Sequence, residues 1–208
     1  MIINYPDGRK RAFQRPEPNK DRRLKQNRTE ADRARDKYIK SNMGMAFEAD
    51  VTKSCEYYRE KGLASIYKRP TPIRIVRMSK AKKGMIEEAY FEEKSTTDYV
   101  GIYKGRYIDF ECKETIHESI PYHMIREQQY RHLEEISKMG GIGFFLVSFK
   151  SVQEVYLIDC RKILREVHEK KHPGFKRSFF AENGTLVRRG YNPPYYLLEA
   201  LEAEFGEF

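Results

Sequence analysis

Residues 142–149, IGFFLVSF, form a continuous apolar run with no polar alternation. Such a run suits a strand buried on both faces, and so a sheet with cover on either side. VYLID (155–159) is the expected neighbouring strand. Upstream, YVGIYKGRYIDFECKE (99–114) reads as a β-hairpin that turns at Lys104-Gly105. SIYKRPTPIRIVRM (65–78) reads as two short strands interrupted by Pro70 and Pro72. From Met43 to Lys61, Phe47, Val51, Cys55 and Tyr58 recur at helical spacing, and Gly62 ends the pattern. A second helix is expected from about Tyr122 to Met139, with Tyr122, Ile125, His132, Ile136 and Met139 on one stripe and Gly140-Gly141 as its stop. A short charged helix is expected from Arg161 to about Lys170. NPPYYLLEALEAEF (192–205) suggests a proline-started helix. Helices alternating with strands, without internal repeats, place the chain in the α/β or α+β class.

A chain of 208 residues suffices for one domain with a core and an appended tail. No apolar run is long enough to cross a bilayer, and MIINYPDGRKRAF lacks the apolar stretch of a signal peptide, so a soluble, cytoplasmic protein is expected. Cys55, Cys112 and Cys160 are widely spaced and form no CxxC unit, which argues against a disulfide framework or a zinc site. Cys112 reads as a small buried hydrophobe. His117, His123 and His132 lack zinc-ligand spacing and read as surface or helix-packing residues. The net charge of +9 is unevenly placed: residues 1–40 hold thirteen Lys/Arg against six Asp/Glu, leaving only +2 for the other 168. That basic arm, with Arg9, Lys10 and Arg11 near its start, has few apolar residues. Its early part is expected to be disordered alone and to hold a polyanion through phosphate contacts. A solubilising tail is the other reading, and charge alone does not choose between DNA, RNA and an anionic membrane.

The hairpin carries the chemistry. In YIDFECK, Asp109, Glu111 and Lys113 alternate and share one strand face, while Ile108, Phe110 and Cys112 point to the core. A two-residue turn at Lys104-Gly105 sets Asp98 opposite Glu111 on that same face. Two carboxylates so placed repel one another unless a cation lies between them, and an oxygen-coordinated divalent ion is the natural occupant. At a phosphodiester such an ion activates water, and an ammonium beside it stabilises charge developing on phosphorus. Lys113 supplies that ammonium. A solvated hairpin face with alternating charges has the same pattern, and the spacing leaves both readings open. Gln129 falls on the apolar stripe of the second helix, where a polar group must find a partner. It suits a metal shell or a backbone contact. Thr96 and Thr97 suit metal ligation or simply a strand. Tyr90, Phe91 and Tyr99 flank the site and are candidates for stacking on a base or sugar.

STTDY (95–99) followed by YIDFECKET (107–115) resembles the motif of the PD-(D/E)xK nuclease superfamily, with Thr97 where the usual proline stands. With NMGMAFEAD, KRPTPIRIV and the tail GYNPP, the chain more narrowly resembles RecU-type Holliday junction resolvases over roughly residues 42–195. The resemblance implies a restriction-endonuclease-like α/β fold, a mixed central sheet flanked by helices with a protruding basic stalk at about 77–86. Residues 1–40 would be the arm and 41–208 the nuclease domain. It implies a homodimer making symmetric cuts in four-way junctions during recombination and repair. It implies Mg²⁺, with Mn²⁺ as a substitute, held by Thr96, Asp98, Glu111 and Gln129, with Lys113 stabilising the transition state. Glu48 and Asp109 are possible additions, and Lys80, Lys82 and Lys83 match the stalk that enters the junction. Recombination proteins are possible partners and the nucleoid the expected place of work. Arg126 stands where that family usually has histidine, and an arginine common near Pro194 is absent. Two other functions are a nuclease of the same fold acting on other branched DNA, and a non-catalytic DNA-binding or recombination-modulating protein. Parallel assays on linear, flap and four-way substrates separate the first. Full biological activity without Asp98 would favour the second.

Overall fold

Lys104 and Gly105 both take positive φ, 46° and 77°, as the tight turn of a twisted hairpin requires. That turn fixes the pairing of β6 (Tyr99–Tyr103) with β7 (Arg106–Thr115), in which Tyr99 faces Phe110 and Tyr103 faces Arg106. The register is the one the two-residue turn predicts. The computed structural model describes residues 2–4, 10–12, 30–91, 97–169 and 173–206, with side chains in 44–90, 97–169 and 173–206. Thr96, Arg9 and residues 13–29 of the arm lie outside the described residues, as do the side chains of Lys10, Arg11 and Phe91.

The chain divides into two compact units, Met1–Ser41 and Asn42–Phe208. In the first, β1 (Ile2–Asn4) pairs antiparallel with β2 (Lys10–Ala12). Helix α1 (Glu30–Glu60) begins well before the Met43 start that the apolar spacing suggested. The spacing marks only its packed part, where Phe47, Val51, Cys55 and Tyr58 are all buried.

The second unit is built on a six-stranded sheet. Its order is β12 (Thr185–Leu186), β10 (Glu154–Asp159), β9 (Ile142–Phe149), β7, β6 and β3 (Ser65–Lys68). Only the β7–β9 pair is parallel, so the sheet is mixed. A parallel neighbour needs a crossover connection. Here it runs through β8 (Ser119–Pro121), a 3₁₀ turn (Tyr122–Met124) and α2 (Glu127–Lys138). Further along the chain come α3 (Cys160–Glu169), β11 (Gly174–Lys176), α4 (Arg177–Asn183) and α5 (Leu197–Phe205).

The apolar run in β9 follows from this layering. Ile142, Phe144 and Leu146 join a core with Phe47 and Val51 of α1 and Leu197 and Leu201 of α5. Their alternate neighbours Phe145, Val147 and Phe149 join a second core with Leu133 of α2, Ile163 of α3 and Phe180 of α4. The sheet therefore has helices on both faces, and a polar residue in mid-β9 would meet an apolar layer whichever way it pointed. Burying each such aromatic side chain contributes about 1.5–3 kcal/mol.

Two helix expectations need correcting. The second helix starts at Glu127, because Ile125 and Arg126 are extended and Gln129 Oε1 returns to accept from the Arg126 N–H. Its buried residues are Gln129, which lies on the expected stripe, and Leu133, which does not, while His132 and Ile136 are half-buried and Met139 is 87% exposed. Gly140, at φ 87°, ends it as expected. The last helix is not proline-started. Pro193 and Pro194 lie in the loop ahead of it, and Tyr196 is its N-cap.

β4 (Ile73–Met78) and β5 (Ile86–Phe91) form a separate two-stranded sheet with an irregular register near Arg77. Its turn carries Lys80, Lys82 and Lys83, all exposed, and is tied by Ser79 Oγ accepting from the N–H groups of Ala81 and Lys82.

One close approach sets the position of α2. A Cβ on Gly143 would lie 2.5 Å from the Leu133 carbonyl oxygen and 3.0 Å from Leu133 Cβ. Gly143→Ala is therefore expected to push α2 off β9 and cost about 1–3 kcal/mol. Thermal unfolding checks this, and an unchanged midpoint would show that α2 yields freely.

Candidate active site

β7 has core residues on one face and the polar cluster on the other, under α2. Ile108, Phe110 and Cys112 sit in the core with α1, with Phe110 stacked between Tyr99 and Phe144. Asp109 is completely buried and Glu111 is 3% exposed. The solvated-face reading of this hairpin is thereby overturned, since β7 is an interior strand whose polar side is covered.

Asp98 lies just beyond the β6–β7 ladder. Its Oδ2 accepts from the Cys112 N–H at 2.8 Å, and its carbonyl accepts from the Arg69 N–H at 2.7 Å. Burial pushes the Asp98 carboxyl up, the Cys112 hydrogen bond holds it down, and Glu48 and Lys113 pull in opposite directions. Glu111 is pushed up to about 7, chiefly by burial, with Lys113 opposing and the neighbouring Asp98 charge reinforcing the rise. Glu111 Oε1 accepts from Lys113 Nζ and from Gln129 Nε2, both at 2.5 Å. Glu111 Oε2 is buried and has no hydrogen-bond partner among the described residues. An orphaned carboxylate oxygen beside a second carboxylate is an arrangement that a bound cation would satisfy.

The structure thus brings Asp98, Glu111, Lys113 and Gln129 together. The Gln129 Oε1 accepts from the Arg126 N–H at 3.1 Å, so in this conformation it caps α2 while Nε2 faces Glu111. Glu48 sits at the edge of the cluster, its carboxylate paired with Lys68 at 2.6 Å and its carbonyl accepting from Tyr99 Oη. Among the described residues no group of three or more His, Cys, Asp or Glu gathers as a metal cage. The site offers two carboxylates and an amide, which suits a hard ion that keeps bound waters better than zinc.

Three expectations fail here. Asp109 has its carboxylate engaged by Arg69 at 2.5 Å, Tyr107 at 3.2 Å, His132 at 3.0 Å and the Thr97 hydroxyl, so it is a structural anchor and not a free ligand. Thr97 is fully buried by that contact. Tyr99 is fully buried and stacked on Phe110, so it cannot stack on a base, whereas Tyr90 is half exposed on β5. Sequence reasoning missed Arg69 and the His132–Asp109 contact. The alternation that puts Asp109 on the Glu111 face carried the signal for an anchor there, but its partners are 40 and 23 residues away.

A family model described as recombination protein U matches residues 42–203. The chain belongs to the RecU family. Relatives called Holliday junction resolvase RecU include one from Geobacillus sp. (strain WCH70), 35% identical over 208 residues, covering 97% of both chains. One from Lactococcus lactis is 36% identical over 206 residues, covering 95% of this chain and 96% of the relative. Among solved structures, Archaeoglobus fulgidus Hjc, a Holliday junction resolvase, aligns with a TM-score of 0.42 at 11% identity, covering 68% of this chain and 89% of that one. The RecU match begins in α1 and takes in the whole acidic cluster, the β4–β5 hairpin and most of α5.

Proposed function

We infer that the protein is a structure-specific DNA endonuclease that resolves four-way junctions by hydrolysing phosphodiesters with a divalent metal ion. The observation that carries the catalytic reading is the buried, unpartnered Glu111 Oε2 beside Asp98 and Lys113. Membership of the RecU family, whose relatives bear the resolvase name, supports the substrate. No described helix is long and apolar enough to cross a membrane.

Asp98 and Glu111 would hold the ion, with Gln129 and Thr96 completing the shell. Mg²⁺ is the proposed occupant and Mn²⁺ its substitute. When bound, the ion polarises the scissile phosphate and lowers the pKa of a water. Lys113, whose Nζ meets Glu111 Oε1, would stabilise charge building on the phosphoryl oxygens. Glu111 must shed its raised proton affinity to serve as a ligand, so Lys113 also favours the ionised form before substrate arrives. The buried apolar layer behind β7 fixes these groups on a rigid strand, which keeps their geometry during the reaction.

The exposed Lys80, Lys82 and Lys83 would meet phosphates at the junction centre, and the basic arm with Arg9, Lys10 and Arg11 would add non-specific affinity. A homodimer supplies the two cuts, related by a twofold axis, that a symmetric product demands. Recombination proteins are candidate partners at the same DNA.

Cleavage of linear duplex, flap and four-way substrates of matched sequence, run in parallel with Mg²⁺, tests this function. Preferential paired nicking of the four-way substrate is expected. Equal cutting of flaps would make the protein a more general branched-DNA nuclease.

A further inference from the structure

Asp109 is completely buried, yet it is no ligand of the proposed metal site, and its partners come from every segment that carries one. Arg69 Nη2 donates to Asp109 Oδ2 at 2.5 Å, and Arg69 Nε donates to Thr97 Oγ1 at 3.2 Å. The Thr97 hydroxyl itself donates to Asp109 Oδ1. The main chain of Arg69 also donates to the Asp98 carbonyl at 2.7 Å, so the segment carrying Asp98 is held at two adjacent residues. From the other side, His132 Nε2 lies 3.0 Å from Asp109 Oδ2, where a carboxylate acceptor requires the imidazole to donate. His132 is three residues beyond Gln129 on α2, and Asp109 is two residues before Glu111 on β7. One carboxylate thus ties together the three segments that bear Asp98, Glu111 and Gln129.

We propose that the Arg69–Asp109–His132 relay is positioning machinery for the metal site, with His132 holding α2, and so Gln129, in register over Glu111. The proposal rests on the metal-site reading given above. Partners at this remove from a metal fix the orientation of its ligands, and their loss weakens metal binding or turnover by about 10–100-fold. A merely structural role would show in stability and leave both untouched. Gly143 serves the same end by letting α2 approach the strand beside Asp109.

His132 is the member to vary, because its side chain is 23% exposed and its removal leaves the buried Arg69–Asp109 pair intact. The probe is Mn²⁺, titrated by calorimetry into full-length protein without DNA, alongside junction binding and single-turnover nicking. His132→Ala is expected to weaken Mn²⁺ binding and slow nicking by about 10–100-fold, with junction affinity unchanged. His132→Gln places an amide N–H about as far along the side chain as the imidazole Nε2, and is expected to restore both within about threefold. Should His132→Ala not fold, His132→Gln decides alone, since it must then bind Mn²⁺ and nick nearly as wild type does. An alanine variant that binds Mn²⁺ and nicks as wild type overturns the proposal, as does a well-folded glutamine variant with no recovery. Wild type that binds no Mn²⁺ contradicts the metal site itself, an outcome distinct from either of these.

Discussion

Glu111→Gln is expected to reduce junction nicking about 10³-fold, a loss of about 4 kcal/mol of transition-state stabilisation. The substitution keeps size and shape, and the glutamine oxygen still accepts from Lys113. What disappears is the charge next to Asp98, and with it half of the carboxylate pair that would hold a divalent ion. Lys113 loses the counter-charge in contact with its ammonium, but Asp98 remains close to it, so the fold is expected to hold. A carboxylate buried with one unpartnered oxygen is costly to keep, and a neutral amide in its place lowers that cost. Single-turnover nicking, gel-shift affinity for the junction and the thermal midpoint together read the effect. Loss of cutting with junction binding and stability retained is the expected combination, whereas nicking within about tenfold of wild type would mean that Glu111 is not a ligand.

Asp109→Ala acts on the fold itself. It leaves the half-buried Arg69 guanidinium without its counter-ion and strips Thr97, Tyr107 and His132 of a shared acceptor. Breaking a buried ion pair from one side costs about 3–5 kcal/mol, and because Arg69 is partly solvated the loss here is expected at the lower end of that range. For a chain of this size that corresponds to a fall of roughly 10 °C in the unfolding midpoint. Urea and thermal denaturation measure it. A loss below about 1 kcal/mol would show that water readily enters to solvate Arg69, and that the anchor is weaker than its geometry implies.

Much of this architecture was legible in the chain because it rests on local patterns. The Lys104-Gly105 turn set the hairpin register, alternation put Asp109, Glu111 and Lys113 on one face, and the apolar run of β9 announced a strand covered on both sides. The acidic cluster followed from that register. What local pattern could not convey was the neighbourhood of those residues. Alternating charge on a strand looks alike whether water or a helix lies above it, and only α2, drawn in at Gly143, makes Glu111 a buried acid with a raised pKa. The reading of Asp109 as a possible ligand failed for the same reason, since Arg69 and His132 reach it from distant segments. The start of α2 was misplaced because Tyr122 and Ile125 continue an apolar spacing that the extended Ile125 and Arg126 interrupt. Side-chain capping, not hydrophobic period, decides where that helix begins.

Cleavage of a mobile four-way DNA junction in Mg²⁺ or in EDTA, by wild type and by Asp98→Ala, tests the central claim most directly. Paired symmetric nicks that require both the metal ion and Asp98 are the predicted result. Tight junction binding with no cutting by the wild type in either Mg²⁺ or Mn²⁺ would contradict it, and would make this RecU-family chain a DNA-binding protein that keeps the fold without the chemistry.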